Sequence, residues 1–200
     1  MMVSGGVGSG TYLNTSAIYS PEDGWEEAAE LPYPVDWHCQ VLSGTSVFIT
    51  GGKLSDGGKT GNVLEYTNNA WEVLPQNMFT PRDRHACVPM PDDKVMIIGG
   101  GDGANNYLRS TEIFSKSSGD WTDGKELPRP VYNGQAFNYN NQTYVLGGDV
   151  SYGNPNTAVF SLDLTDPAAE WETLPGVTLE AGRDIFPAQV VNTVTFPCVY

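Results

Sequence analysis

Few residues in this chain are equipped for chemistry. Its two histidines, His38 and His85, each stand three residues before a valine, Val41 and Val88. Paired imidazoles at matching positions could hold a metal, but no carboxylate or thiol set with ligand spacing accompanies them. A hydrogen-bonded histidine opening a strand is the simpler expectation. Cys39, Cys87 and Cys198 are odd in number and show no metal spacing. Reduced, buried thiols are expected, with one bridge, for example Cys39 to Cys198, left open. Gly57-Gly58-Lys59-Thr60 has the look of a phosphate-binding loop, but Lys53 stands where that motif needs glycine. The next stretch, Gly61 to Tyr66, reads as a strand and not as the required helix. Gly99-Gly100-Gly101-Asp102-Gly103 is likewise succeeded by a strand. Asp102, Asn105 and Asn106 miss the calcium-loop spacing, and no Gly-x-Ser-x-Gly elbow occurs. No catalytic set and no cofactor is expected.

The remaining candidates suit recognition. Arg82, Arg84, Arg109 and Arg183 are scarce cations in an acidic chain and could grip a carboxylate or an acidic peptide by forked hydrogen bonds. The alternative is that such arginines bond backbone carbonyls between structural units. Trp37 could anchor an interface or close over the structure beneath it. Asn105, Asn106, Tyr107, Asn133 and Tyr152 offer polar and aromatic contact, or simply turn chemistry.

Charge narrows the partners. The 200 residues carry a net charge of −14 with only ten Lys plus Arg. Such a chain is repelled by phosphate backbones and anionic lipid, so neither nucleic acid nor membrane insertion is expected. The acidity, densest between Pro21 and Glu30, serves solubility or a basic protein partner. A hydrophobic share of 40% is ample for a core, and no apolar run is long enough to span a bilayer. A soluble protein is expected, cytoplasmic or extracellular. Asn14-Thr15-Ser16 and Asn141-Gln142-Thr143 match the glycosylation sequon, which matters only for a secreted chain.

These residues are placed by a repeat. Apolar runs end in glycine pairs at Gly51-Gly52, Gly99-Gly100 and Gly147-Gly148, and Gly5-Gly6 comes after a shorter stub. After each pair come an aromatic (Tyr19, Tyr66, Phe114, Phe160), a tryptophan (Trp25, Trp71, Trp121, Trp171) and a Leu-Pro step. A period near 50 means one supersecondary unit copied several times. In the clearest copy, residues 84–90 read as strand a, 94–98 as strand b, 108–114 as strand c, and 121–122 open strand d. A four-stranded sheet of this size cannot cover its own faces and must stack on its neighbours. Almost no helix is expected, because glycine and proline punctuate every interval.

The doublet, the spaced aromatic and tryptophan, and the Leu-Pro step resemble the kelch repeat across essentially the whole chain. The resemblance implies an all-β, kelch-type β-propeller of four four-stranded antiparallel blades. The units are approximately 1–36, 37–83, 84–132 and 133–183, with 184–200 supplying a closing strand near 188–195. Either the chain is a portion of a larger ring lacking N-terminal blades, or it is a small closed ring. Trp37 and Asn133 stand where Arg84 stands in its own repeat. Propeller function usually lives in loops at one mouth. The b–c loops and d–a connections vary most, so a non-catalytic module binding a protein or peptide partner there is expected. The alternatives are a propeller enzyme, such as a copper oxidase or sialic-acid mutarotase, and a structural domain of a secreted protein.

Overall fold

A computed structural model describes residues 1–103 and 106–184, and among these it contains strands, turns and bends but no helix. Among the described residues no helix is long and apolar enough to cross a membrane. The proposed closing strand near 188–195, Cys198 and Asn105 lie outside the described residues.

The strands form successive antiparallel blades. Blade 2 contains Cys39–Ser43, Ser46–Thr50, Val63–Thr67 and Ala70–Val73 as strands a to d, paired in that order. Blade 3 contains Ala86–Met90, Lys94–Ile98, Thr111–Ser115 and Trp121–Asp123 in the same order. Blade 4 uses Tyr132–Tyr139, Gln142–Ser151, Ala158–Asp163 and Glu172–Thr178, and the short Asn154–Pro155 also pairs with strand b. Blade 1 has three strands among the described residues, Met2–Ser4, Ser16–Ser20 and Gly24–Ala28, which act as b, c and d.

Strand c of blade 3 begins at Thr111, three residues later than its sequence suggests. Leu108 is drawn into the loop because its amide bonds the Gly100 carbonyl at 2.8 Å. The glycine pairs explain why that loop is so uniform. In each of the first three blades the first glycine amide bonds the chain just before strand c, at Thr15, Asn62 or Ser110. The second bonds a carbonyl in the outgoing d–a connection, at Val35, Arg82 or Val131. A Cβ on Gly51 would lie 2.5 Å from the Arg82 carbonyl oxygen, at a φ of +56°. Only glycine permits both the left-handed turn and this approach.

Blades 2, 3 and 4 each stack their b and c strands and their tryptophan against the preceding blade. Phe114 and Trp121 of blade 3 pack with Val41, Phe48 and Val63 of blade 2. Phe160 and Trp171 of blade 4 pack with Val88, Met96 and Ile98 of blade 3. Trp71 lies against blade 1, where its indole N–H reaches the Ser16 hydroxyl. These three tryptophans are 6–8% exposed. Trp25 departs from the expected burial at 53% exposed, because no described blade stands in front of it.

Cys39 and Cys87 form a disulfide with their Cα atoms 5.9 Å apart, which replaces the expectation of reduced thiols. Side chains alternate between the two faces of a strand. Strand register makes Cys39 the counterpart of Ala86, since Cys39 pairs Thr50 as Ala86 pairs Ile98. Cys87 sits one residue further along, so the two thiols point at each other across the gap between neighbouring inner strands.

Candidate functional site

Strand a of blades 2, 3 and 4 opens with the chain in an unusual shape. Trp37, Arg84 and Asn133 hold equivalent positions, and their φ angles are +54°, +52° and +61°. Asparagine tolerates this region, but tryptophan and arginine adopt it only when their surroundings hold them there. The holding contacts run around the rim. The Arg84 amide donates to the Trp37 carbonyl at 2.8 Å, and the Asn133 amide donates to the Arg84 carbonyl at 3.0 Å. The b–c loops meet the d–a connections on this same side. Val35–Asp36 pairs with Lys53–Leu54, and Asp83 bridges Gly101.

The left-handed turns present their side chains to a cleft of about 670 Å³. There a ladder of rings and cations assembles. The Arg84 guanidinium lies over Trp37, with Cζ 3.4 Å from the ring centroid, and the Lys53 ammonium lies 4.8 Å from the same ring. Arg84 Nη1 donates to the Tyr132 hydroxyl at 2.7 Å. Tyr132 stacks on Tyr107 at 4.4 Å with planes only 4° apart. Contacts of this kind orient the arginine without neutralising it. Its Nε is buried and lacks a hydrogen-bond partner among the described residues.

Electrostatics divide the cleft. Lys59 and the buried Asp83 form an ion pair at 2.7 Å. No carboxylate among the described residues pairs with Arg84 or Lys53. Across the cleft Asp149 and Asp184 are neighbours; burial, then the Asp184 charge, raise the Asp149 pKa. Burial also raises the Tyr132 phenol, with Asp83 adding to it, and burial followed by Asp149 raises Tyr107.

Comparison with known proteins accords with this architecture. The family model described as Kelch motif matches residues 84–128, which is blade 3. Alpha-scruin of Limulus polyphemus is 25% identical over 189 residues, covering 90% of this chain and 20% of that protein. Kelch repeat and BTB domain-containing protein 3 of Homo sapiens is 28% identical over 175 residues, covering 78% of this chain and 28% of that protein. Blade 3 thus carries a kelch motif, and most of the chain is similar to kelch-repeat proteins. The chain spans only 20–28% of the length of these relatives. The solved structure of YjhT superposes with a TM-score of 0.76 at 17% identity, over 90% of this chain and 66% of that one. That likeness concerns the fold.

The cleft gathers six of the residues that the sequence marks as candidates: Trp37, Arg84, Asn106, Tyr107, Asn133 and Tyr152. Arg82 belongs elsewhere. It is fully buried, bonds the Gly99 and Ser110 carbonyls, and pairs with Glu112, whose carboxylate also accepts the Phe79 and Thr80 amides. It ties blade 2's outgoing connection to blade 3 and is withdrawn as a contact residue. Arg109 bonds the Leu127 carbonyl and lies 3.5 Å from Glu126, away from the cleft. Arg183 does not line the cleft, although its carbonyl bonds the Gly148 amide. Asn14 and Asn141 lie toward the surface. His85 is buried with its Nε2 2.9 Å from Thr50 Oγ1 of blade 2, and burial followed by the Arg82 charge lowers its pKa to about 3. Burial lowers His38 as well. No group of three or more potential metal ligands occurs among the described residues.

Sequence reasoning passes over Lys53, Tyr132 and Asp149. Lys53 and Asp149 come directly after glycine pairs, and Tyr132 directly precedes a rim residue. Their repeat positions are the signal that could have found them.

Proposed function

We propose that the chain is a non-catalytic recognition module that holds a protein or peptide partner in the mouth formed by its b–c loops and d–a connections. One observation carries the reading. An arginine in a strained backbone conformation is stacked on an exposed tryptophan and left without a carboxylate partner among the described residues. Strain and an unmatched charge accumulate where a ligand is to be met. The kelch relatives are proteins much longer than this chain, consistent with a module serving a larger assembly.

The test selects binding peptides from a random heptapeptide display library and locates them by hydrogen–deuterium exchange. Protection of segments 53–61, 81–84 and 149–156 is expected, together with quenching of Trp37 fluorescence. Protection confined to the outer d strands overturns the proposal.

The four blades are also proposed to form part of a larger ring. The support is the uncovered pair Tyr19 and Trp25, whose counterparts Tyr66 and Trp71 pack against a preceding blade.

A further inference from the structure

We infer that this mouth takes an extended segment that is itself bipolar, with one carboxylate and one cation about three to four residues apart. The inference rests on the mouth being the binding face and names the chemistry of its partner.

The charges available to a ligand are separated along the rim. The cationic half consists of Lys53 in the b–c loop of blade 2 and Arg84 at the start of blade 3, both over Trp37. Lys59 adds nothing to it, because Asp83 neutralises it at 2.7 Å. The acidic half consists of Asp149 near the end of strand b of blade 4 and Asp184 beyond the last strand of that blade, while Asp102, which also lines the cleft, accepts a hydrogen bond from the Asn106 amide at 2.8 Å. No cation among the described residues pairs with Asp149 or Asp184. Between the halves stand the stacked rings of Tyr132 and Tyr107. The Tyr107 phenol lies within electrostatic reach of both Arg84 and the two aspartates.

A simple anion fits this arrangement poorly. It would satisfy Arg84 but meet Asp149 and Asp184 in a chain of net charge −14. A simple cation has the opposite conflict. A segment with both charges satisfies both halves and lays an apolar or aromatic side chain on the tyrosine pair between them. The guanidinium, held at Nη1 by the Tyr132 hydroxyl, offers its remaining Nη donors to the carboxylate. The Arg84 Cζ lies 5.1 Å from the Tyr132 ring centroid and Tyr132 stacks on Tyr107 at 4.4 Å, so the path from the guanidinium across both rings is on the order of 10 Å, which extended chain covers in about three to four residues.

The experiment uses heptapeptides selected on the wild-type chain and mapped to the mouth by hydrogen exchange. Their sequences should be enriched in an acidic and a basic residue at that spacing. Arg84→Gln should weaken them at least tenfold. Changing the peptide's own carboxylate to its amide should weaken wild-type binding equally, with no further loss on Arg84→Gln. Asp149→Asn should weaken only peptides that keep their cation. Arg84→Lys, which retains the charge but loses the fork, should bind between wild type and Arg84→Gln, and thermal melts confirm that each variant is folded. Peptides that protect the mouth but lack the charge pair, or charge removals that change affinity less than twofold, overturn this inference and leave the binding face standing. Peptides that protect another surface overturn both.

Discussion

Replacing each repeat tryptophan by alanine, one at a time, separates what a blade contributes by itself from what its neighbour contributes. The four sites offer an internal control. In the first three blades the indole meets the same kind of partner at nearly the same geometry. The centroid distances are 5.4 Å for Tyr19–Trp25, 5.1 Å for Tyr66–Trp71 and 5.2 Å for Phe114–Trp121. What differs is the covering blade, which leaves Trp71, Trp121 and Trp171 nearly sealed and Trp25 half exposed. A fully buried indole removes about 150–250 Å² from water, worth roughly 4–6 kcal/mol as an upper bound. Large-to-small core substitutions of this type cost about 3–5 kcal/mol. That is the loss expected at Trp71, Trp121 and Trp171. At Trp25 about half of the area is already in water, so the loss should be about 1.5–2.5 kcal/mol. Equilibrium unfolding in urea, monitored by circular dichroism with the slope checked for constancy, gives the comparison. If Trp25→Ala costs as much as Trp121→Ala, or if Trp121→Ala costs under about 1 kcal/mol, blade-on-blade wedging is the wrong account of the core.

Buried groups give three further expected outcomes. Glu112→Gln should destabilise by about 3–5 kcal/mol, because it strands the fully buried Arg82 guanidinium; a urea midpoint close to wild type would refute that. Gly51→Ala should cost roughly 2 kcal/mol or more, from a left-handed backbone plus collision with the Arg82 carbonyl. Gly57→Ala, also left-handed but open, should cost only about 1 kcal/mol, and equal losses would deny the close approach. His85 is neutral in the fold down to a pKa of about 3 but takes up a proton near 6.5 once unfolded. Stability should therefore fall as pH drops from about 6.5 toward 3, with up to about 1.4 kcal/mol per pH unit from this residue. His85→Gln should flatten that dependence relative to wild type, and identical pH profiles would contradict the burial.

Much of the architecture is legible in the sequence because it is dictated residue by residue and repeated. The glycine pairs must turn left-handed beside another backbone, so they mark the end of strand b in blades 1 to 3, whereas in blade 4 pairing continues through Gly147 and Gly148 to Ser151. The equivalence of Trp37, Arg84 and Asn133 emerges from aligning the repeats. What stays hidden depends on where equal residue types point. Arg82 and Arg84 are two apart and chemically identical, but one is buried against Glu112 and the other stands in the mouth. The left-handed turn at Arg84, which no residue type announces, makes the difference. The cysteine pairing is hidden similarly. It depends on a one-residue offset between strands whose register only the folded chain reveals.

The disulfide has a mechanical consequence. It links residues 48 apart in sequence and spans all of blade 2 after its first residue. When the chain is pulled from its two ends, roughly 170 Å of contour stays locked behind this bond. Tension therefore bypasses blade 2 and is borne first by blades 1, 3 and 4, so the array has one blade that gives way only after a reductant has cut the shortcut.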